Sequence, residues 1–123
     1  MAKIKLIKYK LEFNIPIYED DITLIFTNNV NKVLKSYNKD AEVDGEAYAY
    51  CQELDSHMLL IFEIPFTLNT LVHEVSHCAD KILLYKGMNL NEESAQETKA
   101  YLSGYIAEKI DEFYKSINDD GQD

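Results

Sequence analysis

The chain of 123 residues contains no arginine and no tryptophan, only two prolines, two cysteines and four glycines, and no long hydrophobic run. Each absence excludes something. With all 12 basic residues lysine, no guanidinium is present to clamp a carboxylate or phosphate in two-pronged fashion, so phosphoryl-transfer chemistry is disfavoured. Twenty-two acidic residues set the formal charge to −10, which opposes binding to the phosphates of nucleic acid and to anionic membrane surfaces. No segment reaches the roughly 18 apolar residues of a membrane span. The first ten residues alternate lysine with apolar side chains and lack both the apolar core and the cleavage site of a secretory signal. Cys51 and Cys78 form no disulfide framework, so the expected compartment is a reducing cytoplasm.

What is there suffices for one globular domain over residues 1–123. A chain of this length buries roughly 65% of the surface its unfolded form exposes. Period-two alternation predicts a strand over 3–13, and the apolar run 22–27 a second, more buried one. Asn28 or Asn29 caps a short helix ending near Tyr37. Two more strands, 46–52 and 57–64, form a hairpin. Thr67 caps a long helix to Lys86 with Leu68, Leu71, Val72, Val75, Ala79, Ile82 and Leu83 as its apolar stripe, and Gly87 stops it. A second long helix begins near Asn91 and turns Ala95, Leu102, Ile106, Ile110 and Phe113 inward, before a frayed tail over 118–123. The expected architecture is α+β: a small, mostly antiparallel sheet of three or four strands packed against two long antiparallel helices and one short helix.

The chemistry is concentrated on the first long helix, in His73-Glu74-Val75-Ser76-His77. Histidines at i and i+4 project from one helix face a turn apart, so both imidazoles reach a single zinc ion, and the intervening Glu can hold a water that the metal polarises. Zinc needs at least one further ligand, and the second long helix offers Glu92, Glu93 and Glu97. Glu97, twenty residues beyond His77, is the favoured ligand, with Glu93 the alternative. Asp80, three residues beyond His77, lies near the same face and is a candidate acceptor for a ligand imidazole. Cys78 points about 100° away from His77, which suits a buried thiol better than a fourth ligand.

His73-Glu74-Val75-Ser76-His77 followed by Glu97-Thr98-Lys99-Ala100-Tyr101 resembles the gluzincin arrangement of zinc metallopeptidases. The extension His77-Cys78-Ala79-Asp80, the stretch from Glu97 to Tyr105 and the small size resemble the minigluzincin-like proteins of phages and prophages. The resemblance covers about residues 67–105. It implies a zincin-like fold, Zn2+ held by His73, His77 and Glu97, and Glu74 as general base. It implies hydrolysis of a peptide or protein substrate that pairs with an exposed strand edge from Met58 to Ile64, in the cytoplasm of a bacterial host cell. Larger gluzincins stabilise the oxyanion with a His or Tyr from a further domain; here Tyr101, Tyr105 or His57 would have to substitute. The rival expectation is a non-catalytic, zinc-stabilised binding or accessory protein that keeps the fold, though a purely structural site has no use for Glu74.

Overall fold

Seven elements follow one another in the computed structural model, which describes residues 5–16, 20–37, 49–54 and 57–120. They are β1 (Lys8–Ile15), β2 (Asp20–Thr27), α1 (Val30–Tyr37), β3 (Ala49–Leu54), β4 (His57–Glu63), α2 (Leu68–Tyr85) and α3 (Glu93–Asp120). The chain divides into two compact units, residues 1–70 and 71–123.

In the first unit the strands lie in the order β1-β2-β4-β3. The outer pairings are antiparallel and the central β2–β4 pairing is parallel, so the architecture is α+β with a four-stranded mixed sheet and three helices. The parallel pair belongs at the centre for a reason visible in its composition. Ile22 to Thr27 and Met58 to Phe62 are buried without interruption, whereas β1 alternates toward solvent. Strands buried on both faces read as continuous apolar runs. This overturns the expectation of a free edge from Met58 to Ile64. β4 is hydrogen-bonded to β2 on one side and β3 on the other, and Ile64 donates its N–H to Thr27 O at 2.9 Å. The sheet edges are β1 and β3.

One sheet face carries Ile25, Leu59 and Ile61, packed against Val30, Val33 and Leu34 of α1, with Tyr37 and Tyr50 at the margin. On the other, Phe26 and Phe62 stand edge to face at 6.3 Å between ring centres, and Phe66 tilts against both. β1 begins later than expected because β2, its partner, ends at Thr27. Beyond that point Asn28 takes the place of a strand: its side chain accepts from Ile7 N at 2.8 Å and donates to Lys5 O at 2.9 Å. Asn29 then caps α1, accepting from Lys32 N at 3.1 Å. The first residues of the strand expected over 46–52, the turn over 38–40 and part of the loop joining the predicted hairpin lie outside the described residues.

In α2 the capping expectation holds: Thr67 Oγ1 accepts from Thr70 N at 3.1 Å. Leu71, Val75, Cys78, Ala79, Ile82 and Leu83 are buried, but Leu68 and Val72, expected in the stripe, are 74% and 58% exposed. Leu68 and Val72 stand about 60° and 100° round from Leu71, within the arc that the buried residues define, but they lie in the first two turns of the helix. The helix ends in a Schellman turn. Gly87 takes φ 81°, its N–H donates to Leu84 O at 2.9 Å, and Met88 N donates to Leu83 O at 3.1 Å.

α3 starts two residues later than expected, with Glu92 O accepting the first helical bond from Gln96 N at 3.1 Å. Ala95, Leu102, Ile106 and Ile110 are buried and Phe113 is half-buried. The helix continues through 118–120, where fraying was expected, because extending an established helix costs little and Asp111–Lys115 bridges a turn at 2.9 Å. Residues 121–123 lie outside the described chain. Among the described residues no helix is long and apolar enough to cross a membrane.

Candidate metal centre

All the predicted ligands lie in the second unit. His73 and His77 are about 200° and 240° round α2 from Leu71, close to opposite the buried stripe, and both are exposed. Their rings meet edge to face with centres 4.6 Å apart and planes at 85°. Nε2 of one lies 3.2 Å from Nε2 of the other. Two imidazole nitrogens on a tetrahedral zinc, each about 2.05 Å from the metal, stand roughly 3.3 Å apart. The 3.2 Å is the distance of a hydrogen bond between the two rings and also matches one edge of such a coordination sphere; helical spacing puts the two side chains on one face, and their rotamers bring the nitrogens together. Glu74, half-buried on the flank of α2, forms no ion pair among the described residues.

The acids of α3 are placed differently. Ala95 is 1% exposed, and Glu97 lies about 200° round the helix from it, on the exposed side with Glu93 and Tyr101. Glu93 sits in the first turn, where a carboxylate also complements the helix dipole. Tyr101 is 75% exposed. Among the described residues no three His, Cys, Asp or Glu side chains converge as a ready ligand set. The structure thus brings His73 and His77 together and does not bring Glu97 or Glu93 to them.

Asp80 has found a different partner from the imidazole expected for it. Lys99 Nζ lies 2.9 Å from its Oδ1. That oxygen is buried and accepts no hydrogen bond, so the contact is one of charge, with the ammonium compensating a carboxylate withdrawn from water. Nothing in the sequence distinguishes Lys99 from the other lysines, because the two residues stand nineteen apart on different helices. Cys78 is fully buried and Cys51 nearly so. Tyr105 is half-buried with Lys109 Nζ 5.6 Å from its ring centre.

His57, weighed in the sequence as an oxyanion donor, lies in the first unit at the start of β4, where it lines a cavity with Asn14, Asp21 and Thr23. The sequence did not single out those three. The signal was present in the alternating polar positions 12 and 14 of β1 and 21 and 23 of β2. No family model matches the chain, and no curated protein or solved structure matches it either.

Proposed function

We propose that the protein is a zinc-dependent metallopeptidase, with His73, His77 and Glu97 as ligands and Glu74 as general base. The observation that carries this reading is the 3.2 Å approach of the two Nε2 atoms on an exposed helix face, with an otherwise unengaged carboxylate next in sequence to His73. The pair supplies two imidazole nitrogens of the kind zinc prefers. Zinc in such a setting supplies Lewis-acid activation of water and of a scissile carbonyl. The chain's own part is then specific. His73 and His77 fix two ligand positions, and Glu74 takes a proton from the attacking water and delivers it to the leaving amine nitrogen. Glu97, with Glu93 as its alternative, would supply the remaining ligand from α3 once brought to the pair, and Tyr101 is the candidate donor to the oxyanion. The expected setting is a reducing cytoplasm, in a bacterial host cell, as a chain with only two cysteines suggests.

A second reading draws on the outward direction of the α3 acids and of Tyr101: a zinc-stabilised binding or accessory protein without catalysis. Zinc content and peptide cleavage, measured together on the wild type, His73→Ala, Glu97→Ala and Glu74→Gln, separate the two. The peptidase reading expects about one zinc per chain, lost in the first two variants. It expects cleavage lost in Glu74→Gln while zinc is retained. Bound zinc with no cleavage in the wild type selects the binding protein, and failure to take up zinc after reconstitution removes both.

A further inference from the structure

The sheet face covered by α1 is apolar only at one end. Across β1, β2 and β4 the strand register aligns Asn14, Asp21 and His57 in one row and Glu12, Thr23 and Leu59 in the next, all on that face. At the other end these rows border an open cavity of about 440 Å³, whose lining includes the polar side chains of Glu12, Asn14, Asp21, Thr23 and His57. The volume falls within the range of small-molecule sites.

We propose that this cavity binds a small protonated amine, held by Asp21, Thr23 and His57. Two carboxylates and no lysine are among its lining residues, and Glu12 is paired with Lys10 at 3.1 Å, which leaves Asp21 as the carboxylate open to a ligand. The whole chain adds a field of the same negative sign, so the site attracts cations and repels phosphates and carboxylates.

The polar groups are oriented for hydrogen-bond donors. Asn14 Nδ2 donates to Asp21 Oδ1 at 2.9 Å and so fixes the carboxylate, leaving its second oxygen as acceptor. Thr23 is 95% buried yet forms no side-chain hydrogen bond among the described residues, and its side chain lines the cavity. A buried hydroxyl normally has a partner. The half-buried His57 imidazole supplies a third acceptor. An ammonium has three N–H donors to match these three acceptors.

The test is a titration followed by backbone amide NMR with three probes of similar size: n-butylammonium, tetramethylammonium and 1-butanol. Saturable shifts confined to the neighbourhood of Asn14, Asp21, Thr23 and His57 are expected with n-butylammonium alone. The Kd should be on the order of 1 mM, the scale open to a ligand of five heavy atoms. Asp21→Asn, whose spectrum also reports whether the sheet is intact, should weaken binding at least about tenfold, as loss of a charge-assisted hydrogen bond requires. Thr23→Val should weaken it about threefold to tenfold. Three results overturn the proposal: no saturable shift, equal binding of tetramethylammonium, or unchanged binding in both variants. Because the cavity and the histidine pair lie in different units, its failure leaves the metallopeptidase reading untouched, and the reverse is equally true.

Discussion

α2 and α3 carry the proposed metal ligands in opposite ways. In α2 both histidines come from one helical turn, so the backbone sets the two side chains side by side and only their rotamers are needed to bring the nitrogens to 3.2 Å. In α3 the direction of Glu97 is decided by side chains that have nothing to do with the metal. Burial of Ala95, Leu102, Ile106 and Ile110 fixes which face turns inward, and Glu97 falls on the other. The lesson is that a motif within one helix delivers its geometry at once, whereas a ligand supplied by a second helix inherits whatever rotation the core imposes.

Mutating the two kinds of position should expose that difference most strongly. Ile106→Ala removes a fully buried side chain that sets the rotation of α3 and should cost about 2–5 kcal/mol in urea unfolding. Glu97→Ala, on the exposed face of the same helix, should change metal-free stability by no more than about 0.5 kcal/mol. A large loss in Glu97→Ala without metal would mean that Glu97 is part of the packing, and the contrast would fail.

The same division between local and distant causes explains what the sequence made legible. Asn29, Thr67 and Gly87 act on backbone within a few residues, and each holds the place its residue type predicts. The helical stripes were readable except at Leu68 and Val72, which share the angular range of the buried residues but stand in the first two turns of α2, where the periodicity alone does not bring burial. The centre of the sheet could have been read from the unbroken apolar run of β4, but pairing order depends on contacts far apart in sequence. Asp80–Lys99 had no local sign at all. The histidine pair was legible in full; the third ligand was only a spacing.

A smaller effect tests the helix terminus that separates α2 from α3. At Gly87 an added Cβ would meet nothing within 4 Å, so Gly87→Ala should destabilise solely through the φ of 81°, by about 1–2 kcal/mol. If Gly87→Ala were neutral in thermal unfolding, the Schellman turn would not be the stop that defines α2. Smaller again is Lys99→Met, which withdraws the charge facing Asp80. Each partner is about one-third exposed, so the expected loss is about 1 kcal/mol, and it should be reduced when Asp80→Asn is combined with it. Equal and additive losses would show that the two side chains are near each other without stabilising the helix pair.

The smallest effect belongs to a pair that, unlike Asp80–Lys99, is local in sequence. Lys10 and Glu12 stand two apart on β1, on one face of the strand, with Nζ 3.1 Å from Oε1. The hydrogen bond to Glu12, then the charge of Tyr37, raise the Lys10 pKa above its ordinary 10.5. A raised lysine pKa means that the folded chain holds the proton more tightly than the unfolded one. The resulting stabilisation is complete below pH 10.5 and is lost as pH rises through the folded value. Other lysines and the tyrosines titrate in the same range, so the readout is the difference between wild type and Lys10→Met in urea midpoint across that range. The difference should shrink toward zero on the alkaline side. A difference independent of pH would assign the role of Lys10 to its aliphatic stem packed along the strand, with the ion pair contributing nothing.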